Sequence, residues 1–325
     1  MASANEPKTL HEAILFFADY ENCRRAVEAI RWADGVVKCP TCGSEHVAYL
    51  ARQKRYKCYA KHPKAQFSLK VGTIFEDSPI GLEKWLPALW LLTNCKNGIS
   101  SYELARSLGV TQKTAWFMLH RLRFALHGEE DNNRKFSGTV EADETYVGGK
   151  ARNMHASKRK RVQVKRGRSI AGKVAVMGLL ERHGSDRGSQ VRTAVLKGLK
   201  KSFLQAIVRN NVESGAEINS DSFSSYVGLN AEYTHNVIDH AECYVDGTVH
   251  TNGLENFWSL LKRAIKGTCV SIEPFHLFRY LDEQAFRFNN RKDSDAERFV
   301  GALKGIINKR LTYNALTGSE LPQTC

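Results

Sequence analysis

His250-Thr251-Asn252-Gly253-Leu254-Glu255-Asn256-Phe257-Trp258-Ser259-Leu260-Leu261-Lys262 sets apolar residues at Leu254, Phe257, Leu260 and Leu261, the spacing of a helix with one buried face. Glu255 falls near the start of that helix, and Lys262, two turns on, projects from nearly the same side. An acid in a first turn is ordinary where it complements the helix dipole. Two acidic clusters upstream, Asn219-Ser220-Asp221 and Glu141-Ala142-Asp143-Glu144, give this one more weight.

Outward from the helix, the region from Ser137 to Gly267 alternates in a definite order. Thr139–Val147, Lys173–Leu180 and Gln190–Leu196 read as strands, and Gly198–Val212 as a helix. Ala216–Ser220 and Thr234–Ile238 are strands again, and Asn252–Lys266 is the closing helix. Three strands, a helix, a strand, a helical turn, a strand and a helix is the order of an α/β RNase H-like fold, with a mixed five-stranded sheet and helices. In that fold, acids on the first and fourth strands and on a late helix meet at one edge of the sheet.

Three separated carboxylates in a basic chain suggest metal-assisted cutting of phosphodiesters. Such chemistry holds two hard divalent cations roughly 4 Å apart on oxygen ligands, one activating the attacking oxygen and one stabilising the leaving oxygen. The first place is contested: strand alternation puts Glu141 and Asp143 on one face and Glu144 on the other. Asp221 closes a β-like run, while its rivals Asp239 and Asp246 lie in polar, loop-like sequence. Glu255 has no close rival on its helix.

The bulk numbers set the context. At 325 residues the chain is long enough for two or three domains. Its apolar and charged fractions, 42% and 25%, are ordinary for a soluble globular protein and favour neither a disordered chain nor a membrane class. The net charge of +14 implies an anionic partner, with nucleic acid the commonest. The longest apolar run, Trp85–Leu92, is too short for a bilayer, and no targeting segment is evident. Of eight cysteines only Cys39 and Cys42 are closely paired, as suits a reducing cytoplasm. The expectation is a cytoplasmic, nucleoid-associated protein with no membrane partner.

Cys39-Pro40-Thr41-Cys42-Gly43 reads as a zinc knuckle, and Cys58 and His62 follow to give C-x2-C-x15-C-x3-H. With short strands at Val47–Leu50 and Arg55–Lys57, this is the layout of a zinc ribbon, in which Zn2+ replaces a core too small to form. Cys39, Cys42, Cys58 and His62 are the expected ligands, His62 resting on the least regular spacing. A filled shell of four makes this metal structural.

Next comes a helix-turn-helix pattern: a serine cap at Ser100-Ser101, a turn at Gly109 and a second cap at Thr111. Gln112, Lys113 and Thr114 open the second helix and are of the type that reaches base edges and phosphates; Arg121 follows on it. A run from Lys150 to Lys173 then holds ten Lys or Arg and no acid. Its Lys158, Arg159, Lys160, Arg161, Lys165 and Arg166 suit a phosphate-tracking arm.

Further strings carry a specific likeness. They are Gly72-Thr73-Ile74-Phe75-Glu76-Asp77-Ser78, Asn94-Cys95-Lys96-Asn97-Gly98-Ile99-Ser100-Ser101, and Thr111 through Arg121. Val140-Glu141-Ala142-Asp143-Glu144-Thr145-Tyr146 and His250 through Glu255 complete the set. From about Asp19 to Arg298 the chain resembles the DDE transposases of bacterial insertion sequences, in the ISXO-like group with an N-terminal zinc ribbon. The resemblance implies Asp143, Asp221 and Glu255 as a triad for Mg2+ or Mn2+, the last two 34 positions apart. It also implies that Lys262 contacts transposon-end DNA. Where many relatives have a second C-x2-C, this chain has Cys58-x3-His62.

The expected organisation is a helical segment and ribbon over 1–75, a helix-turn-helix domain over 76–130, a catalytic domain over 137–300 and a helical tail over 301–325. The expected function is that of a transposase: binding of terminal inverted repeats, endonucleolytic strand cleavage and strand transfer. Its partners would be double-stranded DNA, both transposon ends and target, and further copies of itself as a homodimer or higher oligomer on DNA. The rival reading is a domesticated, non-catalytic sequence-specific DNA-binding protein.

Overall fold

A computed structural model describes residues 7–127, 134–149, 172–183, 188–222, 224–238 and 249–318. The expected phosphate contacts Lys158, Arg159, Lys160, Arg161, Lys165 and Arg166, and the rival acids Asp239 and Asp246, lie outside these residues. The chain divides into two compact units, Met1–His127 with Asp293–Cys325, and Gly128–Lys292.

The first unit begins with α1 (Leu10–Ala18) and α2 (Tyr20–Arg31), capped by Thr9 and Asp19, whose side chains accept from Glu12 N and Glu21 N. A small antiparallel sheet follows, β1 (Val47–Leu50), β2 (Arg55–Cys58) and β3 (Gln66–Phe67), in that order. Next come α3 (Leu82–Asn94), α4 (Ser101–Leu108) and α5 (Gln112–Ala125). Trp85, Leu86, Leu89, Trp90 and Leu92 of α3 are all buried, so this helix buries a broad apolar face and leaves Glu83, Lys84 and Asn94 on the less buried side. The α4–α5 turn follows its sequence signals: Ser100 accepts from Glu103 N, Gly109 takes the left-handed conformation (φ +61°), and Thr111 accepts from Thr114 N.

The second unit is a five-stranded mixed sheet built from β4 (Thr139–Val147), β5 (Val174–Glu181), β6 (Gln190–Val195), β7 (Glu217–Asp221) and β8 (Thr234–Ile238). The spatial order is β6-β5-β4-β7-β8. The first three strands form an antiparallel meander, while β7 joins β4 and β8 joins β7 in parallel. The chain crosses from β6 at one edge to β7 beside β4, and α6 (Lys201–Asn211) lies in that connection. Leu204 and Val208 of α6 pack with Val140, Ala142, Leu179 and Ile218 on one face of the sheet. On the other face, α7 (Asn252–Ala264) and α8 (Leu277–Asn289) bring Leu254, Phe257, Trp258, Leu261 and Leu281 against Val176 and Leu180. Gly178 of β5 is needed there: a Cβ would stand 2.6 Å from Trp258 Cζ2 and 2.8 Å from Leu254 Cδ2. The closing helix departs from its expected form at its end, passing into a π turn over Ile265–Cys269.

The chain then completes the first unit with α9 (Asp295–Lys304) and α10 (Tyr313–Thr317). A Ser294–Glu297 capping box starts α9. Its Phe299 packs on Phe17 and Trp90, and Arg298 Nε donates to Asn94 Oδ1 at 2.9 Å. The boundary expected between 300 and 301 falls inside this helix. Among the described residues no helix is long and apolar enough to cross a membrane.

Candidate functional site

The parallel β4–β7 ladder ends with Ala142 opposite Ser220, so Asp143 and Asp221 are the next residues on the two strands. In-register neighbours on parallel strands share a face, and the end of a parallel pair is where an α/β sheet opens toward ligand. Each of Asp143, Glu144 and Asp221 offers a carboxylate oxygen, all within 4.8 Å of one another. Trp258 Nε1 donates to Asp143 Oδ2 at 2.9 Å, and Glu144 N donates to Asp143 Oδ1 at 2.8 Å. From the opposite face, the buried phenol of Tyr226 donates to Glu144 Oε1. Burial pushes Asp143 up to about 6 and Glu144 up to about 7, with neighbouring acids adding to both and the Trp258 and Tyr226 hydrogen bonds opposing. A hard divalent cation is the natural counter-charge for such a set of oxygens.

Helix α7 forms the other wall. A cleft of about 580 Å³ is lined by the acids Asp143, Glu144 and Glu255 and by the bases Lys262, Arg263 and Lys266. Glu255 is exposed in the first turn of α7 and lies outside the 4.8 Å group. Burial lowers the Lys262 ammonium, while the charge of Asp143 opposes the shift. The cleft therefore offers carboxylates for cations beside cations for phosphate, the pairing that phosphodiester chemistry requires.

Glu141, a contender for the first acidic place, is otherwise engaged. It is 1% exposed, accepts from Arg182 Nε at 2.7 Å and from Leu254 N at 2.9 Å, and sits 3.6 Å from His250 Nδ1. Helix α7 has no side-chain cap of its own, so Glu141 satisfies one of its orphan amides from β4.

In the first unit, Cys39, Cys42, Cys58 and His62 bring their ligand atoms within 4.8 Å of one another. Gly43, at φ +74°, turns the knuckle so that its N–H reaches Cys39 O at 2.8 Å. Cys42 Sγ lies 3.7 Å from Cys58 Sγ, and Cys39 Sγ lies 3.5 Å from His62 Nε2. A tetrahedral Zn2+ with ordinary bond lengths sets these edges at about 3.8 and about 3.6 Å, so the four residues fit the ion.

The residues expected to touch DNA from α5 divide. Lys113 is exposed, its Nζ 5.1 Å from the centre of the Tyr313 ring. Gln112 Nε2 donates to Ser101 Oγ at 2.9 Å, and Thr114 pairs with Thr111 at 2.8 Å between their hydroxyls, so both serve the α4–α5 turn. Arg121 departs from expectation: it is 3% exposed, donates to Glu76 O, and lies against the Trp85 and Phe117 rings. Packing takes this guanidinium out of reach of a phosphate. The sequence reading passed over Trp258, Tyr226, Arg263 and Lys266. Arg263 and Lys266 carried a readable signal, being basic residues one and four places after Lys262 in the expected closing helix Asn252–Lys266; the other two act through tertiary contacts.

Comparison with known proteins places these features. Residues 135–289 match an ISXO2-like transposase domain, and residues 19–60 match a transposase zinc-ribbon domain that ends short of His62. An uncharacterised protein in transposable element ISH50 of Halobacterium salinarum is 28% identical over 256 residues, 76% of this chain and 83% of that protein. An uncharacterised transposase-like protein of Haemophilus influenzae is 31% identical over 124 residues, 38% of this chain and 97% of that protein.

Proposed function

The chain belongs to the ISXO2-like transposases, and from that premise we propose that it binds the terminal inverted repeats of its own element and catalyses metal-dependent DNA cleavage and strand transfer. One observation carries the reading. Asp143 and Asp221 are the next residues beyond the last paired rung of two parallel strands, and Asp143 lines a cleft shared with Glu255, Lys262, Arg263 and Lys266. The sheet order and the two faces of helices suit an RNase H-like domain with this edge as its catalytic end.

In the proposed reaction Lys262, Arg263 and Lys266 bind phosphate oxygens and lay the scissile phosphorus beside the acids. Trp258 fixes the Asp143 carboxylate through its hydrogen bond. Mg2+ or Mn2+ held by Asp143, Asp221 and Glu255 would supply Lewis-acid activation of the attacking oxygen and charge stabilisation at the leaving oxygen. In cleavage, a water oxygen bonds to phosphorus, the P–O3′ bond breaks, and the strand leaves with a 3′ hydroxyl. In transfer that 3′ oxygen bonds to a target phosphorus and the target's own P–O3′ bond breaks. Both steps are displacements at phosphorus, so one site serves both and no protein nucleophile is used.

The Cys39, Cys42, Cys58 and His62 ribbon, holding Zn2+, and the α4–α5 helix-turn-helix supply end recognition in this reading, with Lys113 the α5 side chain open to DNA. The run containing Lys158–Arg161, Lys165 and Arg166 adds sequence-independent phosphate contacts. Pairing two ends calls for a dimer on DNA. The test is Asp143→Asn on a duplex carrying the element's end: cleavage disappears while end binding stays within about twofold. Equal loss of binding and cleavage contradicts the division of labour.

A further inference from the structure

Two acids compete to complete the cation site of Asp143 and Asp221, and the structure treats them differently. Glu255 is exposed on α7 and stands outside the 4.8 Å group; Glu144 is inside it. Glu144 lies on the α6 face of β4 and is tied there by Tyr226, whose side chain is 1% exposed in the core beneath α6. Tyr226 belongs to a short helical turn, Ser224–Tyr226, that follows β7 just after Asp221. That turn is itself pinned. Gln205 Nε2 of α6 donates to Ser225 O at 3.2 Å and to Val227 O at 3.1 Å, while Ser225 Oγ donates to Leu199 O at 3.0 Å.

We propose that Glu144 is a ligand of the divalent cation held by Asp143 and Asp221 in the DNA-free protein, and that Tyr226 is its positioning residue; this rests on the transposase reading above. The phenol occupies one carboxylate oxygen, which fixes the side-chain rotamer and leaves the other oxygen for a cation. Hydrogen-bonded partners that orient the ligands recur around protein metal sites. The arrangement links the two strands that carry the ligands: Tyr226 leaves β7 with Asp221 and reaches back to β4 beside Asp143. A site of three carboxylate oxygens and open positions selects a hard ion such as Mg2+ or Mn2+. Glu255, on the opposite wall of the cleft, then serves the site once DNA fills the space between.

The experiment is a Mn2+ titration of the full-length, zinc-loaded protein without DNA, reading free Mn2+ by electron paramagnetic resonance. Glu144→Gln and Tyr226→Phe weaken Mn2+ binding about tenfold or more, Asp143→Asn abolishes it, and Glu255→Gln weakens it less than Glu144→Gln does. Zinc content and thermal melting in the absence of Mn2+ check that each variant is folded. Should Glu144→Gln fail to fold, Tyr226→Phe, which removes only the phenol oxygen, carries the test. Wild-type affinity in both variants overturns the proposal, as does a loss at Glu255→Gln equal to that at Glu144→Gln. Strand cleavage by the wild type separates the two readings. If the wild type cleaves element ends while the Glu144 and Tyr226 variants bind Mn2+ normally, only the role of Glu144 falls. If the wild type neither binds Mn2+ nor cleaves, the transposase reading falls with it.

Discussion

The indole of Trp258 donates to Asp143 Oδ2 at 2.9 Å, so the helix that carries Glu255 and Lys262 also orients a carboxylate on the strand beneath it. Trp258→Phe keeps most of the apolar packing and removes this one donor. A lost hydrogen bond to a charged acceptor costs about 1.5–3 kcal/mol, and the misaimed carboxylate should slow cleavage at least tenfold. Single-turnover cleavage beside urea unfolding checks this; an unchanged rate with reduced stability makes the bond structural only.

Glu141 tests the other joint between β4 and α7. Its buried carboxylate meets Arg182 Nε at 2.7 Å and the Leu254 amide at 2.9 Å. Glu141→Ala leaves a guanidinium and a helix amide without this partner, and breaking such a buried pair costs about 3–5 kcal/mol. The midpoint of urea denaturation should fall accordingly. A change below about 1 kcal/mol contradicts the clamp.

Acid–base behaviour follows from the crowded carboxylates. Burial holds Asp143 near about 6 and Glu144 near about 7, above ordinary values of 3.8 and 4.5. As pH rises from about 4, the unfolded chain gives up these protons before the folded one does. Their contribution is therefore full below about 4 and is lost as pH climbs through about 6 to 7. Without divalent cations, stability from these two groups should drop between pH 5 and pH 8 by on the order of 1–3 kcal/mol. Millimolar Mg2+ should restore it, and Asp143→Asn should flatten the slope. Identical slopes for the variant and the wild type, each measured by urea unfolding, contradict the assignment.

Zinc can be tested by removal. The Cys39, Cys42, Cys58 and His62 cluster sits on a sheet of three short strands, too little core to hold itself together. One zinc per chain is expected, and Cys58→Ser should lose both the metal and end binding. His62→Ala should weaken zinc retention against a chelator by at least tenfold; retention equal to wild type would place the fourth ligand elsewhere.

Much of this was readable from residue order because the signals were local. Short strand-like runs marked β4, β5 and β7, and Ser100, Gly109 and Thr111 marked the ends of α4 and α5. The choice among Glu141, Asp143 and Glu144 was not readable. Glu141 and Asp143 share a face, and only the approach of α7 decides that Leu254 N takes one and Trp258 the other. Glu144 points the opposite way and joins the acids through Tyr226, 82 positions along the chain. Arg121 misled for a related reason: a basic residue on a basic helix reads as solvent-facing until Trp85 and Phe117 close over it. The packing of α9 on α3 was likewise hidden, since it depends on Phe299 finding Phe17 and Trp90 about 200 or more residues back.

The most direct measurement is strand cleavage and joining with Mg2+ on a labelled duplex carrying the element's own end, for the wild type and for Asp221→Asn and Glu255→Gln. The account expects cleavage and transfer products from the wild type and none from either variant, with end binding retained in all three. Tight, end-specific binding with no cleavage by the wild type would contradict it and leave a DNA-binding protein whose acids no longer act.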